Sequence, residues 1–211
     1  MTIFIITLVV IANVLGSAMA YPQAAKMIKT GNADGVSAVW AGVSVSMNLW
    51  WLVYGIANGL WGLVPTSLVA TVLYTIIVVA FVRSIGRDAF GGLALGALVF
   101  GLAPLPVLLV VGWQAAGITI GLCYGLQLAP AVVAAWRTQE LSGIAAGTWF
   151  MAWLEGAIWG AYGLYVADGA LIVGAVSGIL MSSLMLLRLW VADSVVVPAR
   201  RTLHTAASGD V

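Results

Sequence analysis

Tyr21-Pro22-Gln23 closes the first apolar segment of the chain, and the pattern around it returns 108 positions later. At that offset, without gaps, Pro22 falls on Pro130, Thr30 on Thr138, Gly35 on Gly143 and Ala38 on Ala146. Farther on, Trp51 falls on Trp159, Tyr54 on Tyr162, Gly55 on Gly163 and Leu63 on Leu171. Lys29 meets Arg137, and Val36 meets Ile144. Apolar residues pair with apolar residues by chance in any chain of this composition. Agreement of Pro, Trp, Tyr and Gly in one register has no such explanation and reads as an internal duplication.

Composition decides the solvent. Of 211 residues, 63% are hydrophobic and 7% charged, with mean hydropathy +1.12, far outside the range of soluble domains. A membrane-spanning helix needs roughly 20 mostly apolar residues. Seven such stretches are predicted, at about 3–25, 37–57, 61–82, 91–112, 115–135, 143–166 and 169–192. The joints between them are short and hold breakers such as Asn58-Gly59, Gly86-Arg87-Asp88 and Ala167-Asp168-Gly169. Little chain is left over for a soluble domain.

Charge sets the orientation. Lys26 and Lys29 flank the first joint, Arg83 and Arg87 the third and Arg137 the fifth, while Arg188, Arg200 and Arg201 follow or end the seventh helix. The second, fourth and sixth joints contain no Lys or Arg. The positive-inside bias then predicts an outside N-terminus, seven spans and a cytoplasmic C-terminal tail, in the plasma membrane. Ala18-Met19-Ala20 resembles a secretion cleavage site, but Met1-Thr2-Ile3 carries no basic residue, so the first helix is expected to stay as an anchor. Cys123 is the single cysteine, expected as a small buried hydrophobe. Residues 193–211 lack a periodic apolar face and are expected to be disordered.

A helix ending in Tyr21-Pro22-Gln23, a basic loop leading to Gly35-Val36-Ser37, and a helix with Trp51 and Tyr54-Gly55 together resemble a PQ-loop repeat of the SWEET/SemiSWEET (MtN3-like) transporter superfamily. The second copy runs from Ala129-Pro130 through Gly143-Ile144-Ala145 to Trp159-Gly160-Ala161-Tyr162-Gly163, with Ala131 in place of the Gln. The resemblance implies an all-α integral membrane protein: two parallel three-helix bundles, residues 1–84 and 115–192, joined by a linker (85–114) carrying the fourth helix. It also implies a small-solute transporter of sugars or similar solutes, in which Pro22 with Gln23, and Pro130, act as gating hinges.

The prolines have a physical rationale of their own. Within a helix, Pro removes a backbone donor and clashes one turn back, which kinks or loosens the helix. The plain alternative is that each proline ends its helix. Parallel repeats place a site between them near the midplane. Trp51 and Trp159, at matching places in the second and sixth helices, are candidates to line it, with packing as the alternative. Trp61, Trp113, Trp136 and Trp190 lie near helix ends and fit an interfacial belt.

Glu155 is the only charged side chain well inside a predicted span. A carboxylate at that depth costs a few kcal/mol or more, so it faces a cavity or a partner. It aligns with Met47, next to Asn48. Glu155 lies four residues before Trp159 and Asn48 three before Trp51, so each polar group shares a helix face with its tryptophan. Glu155 is expected to hold a proton at rest and to serve proton coupling or solute binding; the alternative is a neutral Glu bonded to a backbone carbonyl. SWEET-like sugar transporters usually carry an Asn in the third helix of each repeat. Here Thr66 and Ser67, and Ser177, are the polar residues available instead, which leaves amino-acid-like or cationic solutes open beside sugars.

Other classes fit poorly. The only lysines, Lys26 and Lys29, lie in the first joint, so no seventh-helix Schiff base is available. His204 is the only histidine, and Asp is confined to joints and tail, so catalytic or metal clusters at depth are not expected, and no cofactor is. No basic stripe or phosphate loop points to nucleic acid. The expected partners are the lipid bilayer and a small-molecule solute, with homo-oligomerisation open. A non-transporting receptor or scaffold on the same fold stays the alternative function.

Overall fold

A backbone inside a bilayer must satisfy its own hydrogen bonds, and with no strand pattern in the sequence that leaves helices. The computed structural model describes residues 2–31, 37–139, 141 and 144–207, without the side chains of 20, 22, 23, 26 and 193–207. Its α-helices are α1 (Ile3–Thr30), α2 (Ala38–Ala57), α3 (Val64–Ile85), α4 (Ala89–Leu102), α5 (Pro104–Val110), α6 (Trp113–Arg137), α7 (Ala146–Val166) and α8 (Gly169–Ala207), with a 3-10 turn at Gly86–Asp88. No strand occurs among the described residues.

The helix ends follow local chemistry. Gly31 terminates α1 at φ 64° and returns its N–H to Met27 O at 2.9 Å. The Ser37 hydroxyl accepts from Trp40 N at 3.3 Å to start α2. Asp168 precedes α8, its Oδ1 accepting from Leu171 N at 2.9 Å. Arg188 reaches back from α8 to the end of α6, donating through Nε to Ala135 O at 3.0 Å and through Nη2 to Thr138 O at 2.9 Å. A cation on the carbonyl end of α6 is also favoured by the helix dipole.

Three expectations are corrected. The helix α1 does not stop at Tyr21-Pro22-Gln23 but runs on to Thr30, and α6 continues past Pro130 to Arg137. Neither proline ends its helix. The linker span is broken at Ala103 into α4 and α5, because Pro104 and Pro106 have no N–H for the carbonyls of Phe100 and Leu102. Residues 193–207 continue α8 as helix, where a disordered tail was expected.

By length and hydropathy, four stretches are able to cross a bilayer: Ala38–Ala57, Val64–Val110, Trp113–Arg137 and Gly169–Ala192, with Ile3–Met19 a shorter apolar helix. Val64–Val110 holds both α3 and the α4–α5 span. Helix α7 has the length, but Glu155, its glycines and its Trp and Tyr residues hold its hydropathy down. Leu68, Val72, Leu98, Leu122, Val176 and Leu180 lie exposed on the helix faces, an apolar surface suited to lipid. The molecule is an all-α integral membrane protein.

The packing repeats as the sequence does. Helix α3 lies between α1 and α2, and α8 lies between α6 and α7 in the same way. Across the bundles α1 meets α7, and α2 meets α6. Exchanging the repeats turns one of these contacts into the other. The linker lies outside the pair, along α2, where Trp50 Nε1 donates to Gly101 O at 2.8 Å and Ser46 Oγ to Ala97 O at 3.2 Å.

Candidate functional site: a cavity between the repeats

All six repeat helices, and neither linker helix, line one central cavity of about 150 Å³. Eight pairs of its lining residues stand 108 positions apart: Gly16 and Tyr124, Met19 and Gln127, Met47 and Glu155, Asn48 and Gly156, Trp51 and Trp159, Leu63 and Leu171, Thr66 and Gly174, Ser67 and Ala175. Only Ala70 and Tyr74 line it without their counterparts. The cavity therefore straddles the pseudo-twofold relation between the repeats. Its chemistry does not: one half offers Asn48, Thr66 and Ser67, and the other Glu155, Gln127 and Tyr124.

Four of the expected site residues, Trp51, Trp159, Asn48 and Glu155, meet at this wall, and Thr66 joins them. Trp159 Nε1 donates to Glu155 Oε1 at 3.2 Å, so the carboxyl is bonded to the indole one turn away, in place of a backbone carbonyl. Room for it is made by Gly16 on α1. A Cβ there would stand 2.5 Å from Glu155 Oε1 and 2.7 Å from Thr66 Oγ1. Asn48 Nδ2 donates to Ser44 O at 2.8 Å. The tryptophans are held alike: Trp51 meets Tyr54 edge-on at 6.1 Å, and Trp159 meets Tyr162 at 5.9 Å.

Ser177 is not part of the cavity. Its hydroxyl donates to Gly121 O and Gly174 O, both at 2.9 Å, and ties α8 to α6. The counterpart of Thr66 is Gly174, so the second repeat has no hydroxyl at that place. Pro130 is exposed within α6, three residues after the cavity residue Gln127, and Pro22 follows Met19 by the same distance. The side chains of Pro22 and Gln23 lie outside the described residues. Trp113, expected in the belt, packs on the core beside Tyr54 at 6.3 Å, whereas Trp61 and Trp190 are each 68% exposed.

Tyr74, Tyr124 and Gln127 escaped the sequence reading. Gln127 Nε2 lies 3.4 Å from Ser44 Oγ across the bundles, and its Oε1 is buried with no hydrogen-bond partner among the described residues. A polar side chain three residues after Tyr124 in an apolar helix was the available signal.

One end of the cavity is shut. Ile5, Val9, Leu60, Leu63, Ile120, Ala170 and Leu171 pack with Tyr54 and Tyr162 into one cluster that spans both repeats. Tyr54 Oη donates to Asp168 Oδ2 at 2.8 Å, from the first repeat to the α7–α8 turn of the second. Tyr162 answers from the second repeat, accepting a backbone hydrogen bond from Gly62 in the first. This is the end whose joints carry no Lys or Arg. Toward the basic end the apolar core divides: Ala24, Met27, Ile77 and Phe81 pack within the first repeat, and Val132, Ala135 and Met185 within the second. Between the cavity and that end the repeats are bridged more thinly, by Val43 and Met47 of α2 against Cys123 of α6 and by the approach of Gln127 to Ser44.

A solved structure of a eukaryotic SWEET transporter superposes on this chain with a TM-score of 0.69, covering 90% of this chain and 99% of the other at 15% identity. The fold is a SWEET fold. No family model matches the sequence, and no curated protein matches it. The SWEET likeness is therefore one of three-dimensional arrangement: six helices in two like bundles and a linker, with 15% of positions identical.

Proposed function

We propose that the chain is a small-solute transporter working by alternating access, with the midplane cavity as its solute site. The observation that carries this reading is a cavity bounded by paired elements of two repeats, latched at one end by a nine-residue core and bridged toward the other only by Val43 and Met47 against Cys123. With the charge-derived orientation, the latched end faces outside and the arrangement is open toward the cytoplasm, in the plasma membrane. Pro22 and Pro130 serve as paired hinges: each lies three residues beyond the last cavity residue of its helix, and each leaves a carbonyl one turn back without its helical donor. Bending there moves the cytoplasmic ends of α1 and α6 without disturbing the latch.

The volume favours a solute of sugar or amino-acid size, since a 150 Å³ cavity accepts a single six-carbon ring. Trp51 and Trp159 give flat apolar walls, and Asn48, Thr66, Gln127 and Glu155 give directional groups. The test is flux into sealed proteoliposomes across a panel of monosaccharides, amino acids and small amines. At least one should enter faster than in empty vesicles, and Trp51→Ala and Trp159→Ala should each lower that rate about tenfold or more. If no member of the panel enters faster, transport is the wrong reading, and a ligand that still stabilises the protein points to a receptor.

A further inference from the structure

We propose that the solute is a small organic cation, a protonated or methylated amine, exchanged for one proton at Glu155; this rests on the transport reading above and narrows its solute. Four aromatic rings from four helices line the cavity: Trp51, Tyr74, Tyr124 and Trp159. Ring faces attract organic ammonium ions, most strongly where water is displaced. Three of the rings are braced from outside the cavity, Tyr74 by Trp40 at 5.5 Å, Trp51 by Tyr54 and Trp159 by Tyr162. Three of the four rings are thus held in place before any solute arrives.

Among the described residues the charge at its wall is negative and has no cationic partner. Glu155 on α7 is the only ionic side chain among the lining residues. Facing it, α1 brings Gly16 and Met19, α2 brings Met47 and the neutral Asn48, α3 the phenol of Tyr74, α6 the phenol of Tyr124 with neutral Gln127, and α8 no titratable group. Asp168 is engaged at the latched end by Tyr54 and Leu171 N. The buried Gln127 Oε1 is an acceptor still wanting a donor, which an ammonium N–H or polarised N–CH supplies. A neutral sugar would leave the carboxyl to be neutralised by a proton alone, and would find fewer carboxamides than hydroxyls.

A carboxylate in this setting is neutralised either by a proton or by a cationic guest, because bare charge at depth is costly. When the ammonium enters, the carboxyl O–H proton leaves by the open side. When the ammonium departs, a proton returns to the same group. Either load leaves the cavity neutral and allows the repeats to rearrange, whereas the empty carboxylate opposes it. One cation moves each way per cycle, with no net charge transferred.

The probe is tetramethylammonium, with glucose and alanine as the neutral and zwitterionic comparisons. Purified protein in weakly buffered detergent should bind tetramethylammonium with a change in tryptophan fluorescence and release about one proton per site occupied. Its affinity should fall about tenfold per pH unit on the acid side. Glu155→Gln should bind it at least about tenfold more weakly with no proton released, while Glu155→Asp, which keeps the carboxyl, should retain release. In proteoliposomes, an outward proton gradient should drive tetramethylammonium inward. Binding with proton release but no flux sinks the transport reading and leaves the cation site standing. Flux of glucose or alanine with no binding of tetramethylammonium overturns the cation site and leaves transport standing. Binding without proton release overturns the exchange.

Discussion

Glu155 occupies its place because Gly16 does not. The carboxyl oxygen and the Thr66 hydroxyl share the space that a side chain on α1 would fill, at 2.5 and 2.7 Å from where its Cβ would be. Adding one methyl there displaces the Glu155 carboxyl from its bond with Trp159 and crowds Thr66, and overpacking of this kind costs about 1–3 kcal/mol. Gly16→Ala should therefore lower the melting temperature in detergent and reduce solute binding together. The double variant Gly16→Ala with Thr66→Ala, which removes the hydroxyl, should recover only part, because the Glu155 contact remains. An unchanged melting temperature in Gly16→Ala would mean that α1 and α7 are not in contact as described. At this scale the sequence showed Glu155, Asn48 and the two tryptophans, since polarity at depth and helical spacing are local properties. It did not show Tyr124 or Gln127, whose partners under the repeat are Gly16 and Met19. Pairs so unlike are invisible to any search for matching residues, yet unlike pairs are what make the cavity asymmetric.

Between elements, the 108-residue correspondence holds in backbone where side chains differ. Gly59 and Ala167, 108 positions apart, end α2 and α7 in the same left-handed turn, at φ 67° and φ 55°. Glycine adopts this conformation freely, whereas a Cβ costs roughly 1–2 kcal/mol there. Gly59→Ala should thus destabilise by about 1 kcal/mol or more. Ala167→Gly should stabilise by under about 1 kcal/mol, because glycine also loosens the unfolded chain. Thermal unfolding of the two variants in one detergent checks this: shifts of the same sign would show that the turns are not equivalent. The repeat register predicted this correspondence only in outline, since Gly and Ala at one position look unremarkable. The helix ends were read less well. A proline after an apolar run reads as a stop, yet α1 and α6 run through theirs, because the neighbouring helices of each bundle continue to pack on the turns beyond.

Across the whole molecule, the closed end of the cavity rests on few groups. Tyr54 joins the repeats through a carboxylate that also caps α8, and hydrogen bonds to charged groups contribute about 1.5–3 kcal/mol. Tyr54→Phe removes that bond and keeps the ring packing. The outward-open population should rise about tenfold or more. With Cys123→Ala as background and Ser67→Cys as reporter in the cavity, a membrane-impermeant thiol reagent applied from the side of the non-basic joints should label the Tyr54→Phe protein correspondingly faster. Equal labelling rates would remove Tyr54 from the gate. Tyr162→Phe, which loses only a backbone hydrogen bond to Gly62, should have the smaller effect.

The sequence by itself determined the solvent, the helical class, the 108-residue correspondence and the end at which the basic residues gather, because hydropathy, breakers and charge are written along the chain. It also marked the depth of Glu155, since a lone carboxyl in an apolar run needs no partner to be noticed. Only the tertiary structure decided that α3 and α8 sit between their neighbours, that Ser177 faces α6 and not the cavity, and that Tyr54 closes on Asp168 across 114 residues. Those facts depend on which face of each helix meets which neighbour. In a chain apolar on nearly every face, periodicity cannot choose that face, and close packing around Gly16 and the latch does.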